Sequence, residues 1–184
     1  MKKLFCLISL LLTLNLASNS QLSVLKMIGI NSDQSKLGLG LFANYDIPLN
    51  NIGNQSLMIE LFDLGLFPGK EINDQGDEIS RGYISVKLGY RKIFSQESKT
   101  GFFVEPQLGY CRVAVADDRL PDATHGDGFA AAFEAGYSIE VGERGNAVLF
   151  GLKYEADMAG AEHTIQAIGF RVSYSFSWLR RNRY

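Results

Sequence analysis

The chain has little cysteine, little histidine, no strong charge of either sign and, past its first residues, no long apolar run. Of its two cysteines, Cys6 sits inside an apolar stretch and not at its end, which is not the lipid-attachment position of a lipoprotein. Cys111 is then left alone and cannot form an internal disulfide. A lone thiol in such a chain reads as a small buried filler. The two histidines, His125 and His163, have no Cys, His or paired carboxylate at metal-ligand spacing, so no metal site is expected. Eighteen Lys and Arg stand against twenty Asp and Glu, a net charge of -2 that gives no basic field for nucleic acid. The glycines are followed by no helix, so they form neither a phosphate-binding loop nor a nucleophile elbow, and neither cofactor nor catalytic residue is assigned.

What is present begins with an export pattern. Lys2 and Lys3 are basic, Leu4 to Leu16 is mostly apolar, and Ala17 to Ser20 is small or polar. That is the order of a cleaved signal peptide over residues 1–20, with Gln21 the expected first mature residue. The apolar part is shorter than the roughly 20 residues a spanning helix needs. Residues 21–184 are then the size of one domain.

From Lys36 onward the hydrophobic pattern alternates with period two, and no stretch of period 3.6 is long enough for a helix. The spacing predicts an all-β chain with strands near 23–30, 36–47, 55–66, 81–93, 101–113, 128–141, 147–157 and 164–178. The two faces differ chemically. Phe129, Ala131, Phe133, Ala135 and Tyr137 oppose Ala130, Ala132, Glu134, Gly136 and Ser138; Ile84, Val86, Leu88 and Tyr90 oppose Ser85, Lys87, Gly89 and Arg91. In the first strand the two faces are nearly equal, and Lys26 is placed inward. Connections alternate between long polar ones, Phe67 to Ser80 and Ala114 to Asp127, and short ones, Phe94 to Thr100 and Gly142 to Asn146. Short turns on one side and long loops on the other are the plan of an outer-membrane barrel.

Alternation alone does not separate a lipid-facing apolar surface from the apolar core of a lipocalin-like soluble carrier, whose faces are reversed. Three features favour the membrane. The polar face carries Gly38, Gly40, Gly89, Gly109, Gly136, Gly151 and Gly169, poor choices for an exposed strand but suited to a crowded lumen. Aromatic residues of the apolar face cluster near strand ends, Tyr45, Tyr90, Tyr137 and Trp178 toward one side and Tyr110 and Tyr154 toward the other, as in interfacial girdles. The final strand ends Val172, Tyr174, Phe176, Trp178, before a tail over 179–184. The expectation is an eight-stranded antiparallel up-and-down transmembrane β-barrel.

Leu88-Gly89-Tyr90, Leu108-Gly109-Tyr110 and Ala135-Gly136-Tyr137 end their strands alike. In these motifs the chain resembles the small outer-membrane β-barrel proteins of the OmpA and OmpX type and the broader outer-membrane β-barrel domain family. The resemblance implies outer-membrane lipid as surroundings, barrel-assembly machinery as a partner during biogenesis, and a place in a Gram-negative envelope. It implies no activity, because members share a fold and serve unlike purposes. A non-enzymatic structural or surface-interaction protein is the leading expectation. A lipid-modifying barrel enzyme is its rival, although His163 is followed by Thr164 and Ile165 and no His-x-Ser pair exists. The acidic residues Glu71 to Glu78 and Asp117 to Asp127 read as solvated loops in preference to cation sites.

The candidate site is the polar face itself. Glu60, Lys87, Glu105, Gln107, Glu134, Lys153, Glu155 and Arg171 fall toward the middle of their strands. A Lys or Arg facing lipid there costs roughly 2 to 4 kcal/mol, which directs these side chains inward. Inside a narrow lumen they must pair, since an unpaired desolvated charge costs several kcal/mol. A lumen ion-pair network without a conducting pore is the expectation.

Overall fold

A computed structural model describes residues 19–29, 37–72, 78–96, 98–117, 124–142, 146–160 and 163–177. Residues 1–18 of the expected signal segment 1–20, Trp178 and the tail 179–184 lie outside the described residues, while Asn19 and Ser20 of that segment are in the first strand.

The described chain is all-β, antiparallel and up-and-down. Its strands are β1 (Asn19–Gly29), β2 (Leu37–Pro48), β3 (Gln55–Ile72), β4 (Glu78–Ile93), β5 (Gly101–Asp117), β6 (Thr124–Val141), β7 (Asn146–Met158) and β8 (Thr164–Ser177). Each pairs with the next, and β1 pairs back with β8 from Asn19↔Ser177 to Gly29↔Ala167, which closes the sheet. Closure leaves no edge row of unpaired backbone groups, which lipid would penalise. The start of β1 and the end of β8 lie at the end that carries the connections after β2, β4 and β6; the connections over 73–77 and 118–123 lie at the other.

Burial follows the pleat. On β4, Ile84, Val86, Leu88 and Tyr90 are exposed while Tyr83, Ser85, Lys87 and Arg91 are buried. The outer wall is therefore apolar and the interior polar, the reverse of a soluble carrier. Exposure of 59% at Leu88 against 1% at Lys87 decides the direction.

Three features differ from the sequence reading. First, β3 to β6 run further toward the 73–77 and 118–123 connections than the alternation indicates, to Ile72, from Glu78, to Asp117 and from Thr124. Backbone pairing persists there after the outward positions stop carrying large apolar side chains, as at Gly82, Ala114 and His125, so the ladder outlasts the pattern. His125 accordingly lies in β6 and not in a loop. Second, the register of β1 sets Lys26 opposite Leu39 and Phe170, both in outward rows, and Leu25 opposite Gly40 and Arg171. Closure against two neighbours fixes the row that the weak pattern of β1 left undetermined, and Lys26 belongs to the outer one. Third, β3 carries a bulge between Glu60 and Asp63, where Leu61 and Phe62 are both exposed. An extra residue in one strand turns two successive side chains outward. Glu60 and Asp63 thereby both reach the interior.

Candidate functional site

The sheet gathers into its interior side chains from every strand whose burial is described. All eight residues expected in the lumen are there and buried: Glu60, Lys87, Glu105, Gln107, Glu134, Lys153, Glu155 and Arg171. They form two connected groups.

In the first, Lys87 Nζ lies 2.8 Å from Asp63 Oδ2 and 3.0 Å from Glu60 Oε1, pairs with Glu155, and donates to Ser85 Oγ at 2.9 Å. Lys153 Nζ lies 2.5 Å from the same Asp63 oxygen and 2.7 Å from Glu155 Oε2. Tyr83 OH donates to Asp63 Oδ1 at 3.3 Å. Two ammonium groups are thus held by three carboxylates, and Asp63 bridges both lysines.

In the second, Arg91 Nε donates to Glu105 Oε2 at 2.6 Å while its NH1 donates to Asp46 Oδ2 at 2.9 Å. Arg171 pairs with Glu134, approaches Glu105 at 3.7 Å, and donates through Nε to Ser173 Oγ at 2.7 Å. Gln107 Nε2 donates to Glu105 Oε1 at 2.5 Å and lies 3.5 Å from Glu60 Oε2, which links the two groups. A guanidinium presents several donors in a planar fork, and at Arg91 that geometry ties β2, β4 and β5 together.

Aromatic rings flank the charges. Phe42 has the Arg171 guanidinium 4.0 Å and the Lys153 ammonium 4.8 Å from its ring centre, and Arg91 lies 5.6 Å from that of Phe103. Phe42, Phe67, Tyr83, Cys111, Val113 and Ile165 form an apolar layer toward the 73–77 connection. Ile93, Phe103, Ala147 and Leu149 form a smaller one toward the opposite end. Cys111 is buried in the larger layer. Inward glycines make room for this filling. A Cβ at Gly151 would overlap the Glu134 carboxylate, and one at Gly65 would overlap the Tyr83 ring across the ladder.

The sequence reading did not include Asp46, Asp63 and Arg91 in the network. Arg91 had been placed on the inner face, and its charge alone was signal enough. Asp63 was hidden by the bulge, and Asp46 by its position near a strand end.

Of the aromatic residues assigned to girdles, Tyr90, Tyr110, Tyr137 and Tyr154 are exposed on the outer wall. Tyr90 OH donates to Gln55 Oε1 at 3.1 Å and Tyr154 OH to Gln166 Oε1 at 3.2 Å, so each presents a ring to the apolar side and a satisfied hydroxyl. Tyr45 departs from the expectation. It alternates with the inward Asn44 and Asp46 but is itself buried, so it presents no ring at the outer surface. Phe102, which packs edge-on against Tyr137 at 5.2 Å, is a girdle-level aromatic that the reading passed over. His163 Nε2 lies 3.2 Å from Thr124 Oγ1, and His125 is exposed. Among the described residues no group of three or more His, Cys, Asp or Glu is placed to hold a metal ion.

The fold defined by this polar interior and apolar wall is that of small outer-membrane barrels. The chain is similar to Neisserial surface protein A at a TM-score of 0.66 and 11% identity, over 88% of this chain and 97% of that one. It is likewise similar to Ail, the attachment invasion locus protein of Yersinia pestis, at a TM-score of 0.56 and 15% identity, over 86% of this chain and 97% of that one. A second structure of Ail, in complex with the heparin analogue sucrose octasulfate, matches at a TM-score of 0.57 and 13% identity, over 88% of this chain and 100% of that one. No family model matches the chain, and no curated protein matches its sequence.

Proposed function

We propose that this chain is exported through a cleaved signal peptide and resides in an outer membrane as an eight-stranded transmembrane barrel. Its role is non-enzymatic: it contributes to the envelope as a structural element or through surface interactions at the end bearing the 73–77 and 118–123 connections. The observation that carries this reading is the outer wall. Leu39, Leu88, Leu108, Phe133, Leu152 and Phe170 are all exposed, with charged residues buried behind them. A contiguous apolar surface around a polar interior is unstable in water and matches the hydrocarbon band of a membrane barrel. Export through the inner membrane and insertion by barrel-assembly machinery follow from that placement.

The lumen supports a closed barrel. Eight strands leave an interior just wide enough for side chains, and here it is filled by ion pairs between two apolar layers. The test is membrane fractionation of expressing cells together with heat-modifiability on a gel. The protein is expected in the outer-membrane fraction, migrating differently before and after boiling. Recovery as a soluble periplasmic protein would overturn the reading. Spin labels at Phe133 and Glu134 add a local test, since only the first should be relaxed by oxygen dissolved in lipid.

A further inference from the structure

Asp157 is buried completely and stands outside both groups of ion pairs. Its ladder partners, Ala130 on β6 and Ile165 on β8, belong to the apolar layer toward the 73–77 connection, and it lies beyond the girdle aromatic Tyr154 of its own strand. Among the described residues no donor reaches either of its oxygens. Cys111 lies beside it, but that thiol donates to Phe129 O at 3.4 Å. The charged and titratable groups that face it are Glu155 and Lys153 from β7, Lys87 and Tyr83 from β4, Asp63 from β3 and Cys111 from β5. Both ammonium groups are held by other carboxylates, and the Tyr83 hydroxyl by Asp63. At the mouth above, Arg81 reaches across to Thr164 O at 3.4 Å.

The charges of the two halves give a second observation. Toward the opposite end, Arg91, Lys99 and Arg171 stand with Asp46, Glu105 and Glu134, three cations with three acids, all buried. On the side of Asp157, Lys87 and Lys153 stand with Glu60, Asp63, Glu155 and Asp157, two cations with four acids. Among the described residues no third cation is buried there, and no group of ligands is placed to hold a metal ion. A carboxyl set in apolar surroundings with neither a donor nor a cation is disfavoured in its charged form, and a proton is the smallest group that removes the charge.

Resting on the side-chain-filled lumen proposed above, we infer that Asp157 is a proton-binding site: the barrel takes up a proton there as it folds and carries the residue as a neutral acid. The proton comes from water, forms an O–H bond on one carboxyl oxygen and returns to water on unfolding. It meets part of the acid surplus of this half, and the ion-pair network ends at Glu155. The sign of the pH dependence follows. An unfolded aspartate releases its proton near its ordinary value of about 3.9, while the folded chain keeps it. The folded state then binds one proton more, so stability falls as pH rises through the range between the two.

The full chain, carrying carbon-labelled aspartate and folded into phosphatidylcholine vesicles, is examined by infrared spectroscopy and urea unfolding between about pH 5.5 and 7. Wild type is expected to show the label-shifted carbonyl band of a protonated aspartic acid throughout, and Asp157→Asn to lose it. Asp157→Asn, which copies the neutral acid in shape, should match wild type at the lower pH and then gain on it by up to about tenfold in the unfolding constant per pH unit. Asp157→Ser, smaller and equally uncharged, should show the same trend if the amide does not fold. A wild type without that band, a band that survives substitution, or a ratio of unfolding constants that stays the same across pH would overturn the inference. So would stability that follows the salt cation, potassium against choline, because an ion would then meet the surplus. Heat-modifiability separates the two levels: a wild-type chain that never inserts refutes the membrane reading and the inference with it, while one that inserts without the band refutes only the proton site.

Discussion

Lys87 with Asp63 inside the barrel and Arg112 with Asp127 on its outer surface are ion pairs of similar geometry, 2.8 and 2.6 Å apart. Their surroundings are opposite. The first pair is fully buried, whereas the side chains of the second are 55% and 45% exposed. Desolvation makes a buried pair of little net benefit while intact and costly when broken, because the surviving charge has no water to return to. A solvated pair gains little and loses little. The lumen is therefore held less by the strength of its ion pairs than by the cost of removing any one of them.

The largest effect is expected where one cation serves the most carboxylates. Lys87→Met leaves Glu60, Asp63 and Glu155 with only Lys153 among the pairs described. A loss of about 3 to 5 kcal/mol is expected, read from urea unfolding of the folded barrel in lipid vesicles. Arg171→Met comes next, since it deprives Glu134 of its pair and Glu105 of a secondary one, at about 3 kcal/mol. Neither variant should conduct, because the apolar layers on both sides remain. Steady, large single-channel currents from the wild-type protein in a planar bilayer would break the comparison by showing that the interior is solvated.

A smaller effect tests the rim of the buried group. Tyr83→Phe removes one hydrogen bond of 3.3 Å to Asp63 and leaves both lysines in place. About 1 kcal/mol is expected in the same unfolding assay. A loss as large as that of Lys87→Met would mean that the hydroxyl, and not the ammonium groups, holds Asp63.

How much of this was legible in the sequence depended on whether the pattern stayed in step with the pleat. Where alternation was unbroken, as from Ile84 to Tyr90 or from Phe129 to Tyr137, it gave the facing of each side chain. At Leu61 and Phe62 the bulge shifts the phase by one, which put Asp63 on the wrong face for any reading with a strict period. Two apolar residues between two acids were the only trace of it. For β1 the pattern was too weak, and the face of Lys26 follows from pairing with β2 and β8, which are distant in sequence. The ends of β3 to β6 escaped for another reason: beyond the apolar band of the wall there is no large apolar face to alternate.

The smallest effect is expected at Arg112 and Asp127, and there it takes the form of a shifted titration. Both lie beyond Tyr110 toward the 118–123 connection, outside the part of the wall proposed to span the membrane. The hydrogen bond from Arg112 holds the Asp127 carboxyl below its usual range. A carboxylate depressed in the folded state contributes stability that is present above its unfolded pKa and lost as pH falls through the folded one. Arg112→Gln should therefore raise the titration of Asp127, followed by carbon NMR of the labelled barrel in micelles, and lower stability at neutral pH only slightly, far less than the lumen substitutions do. High salt should narrow the gap between wild type and variant, because solvated charges are screened. A marked loss of stability at neutral pH would show that this pair is desolvated like its counterpart in the lumen, and that exposure does not explain the difference between them.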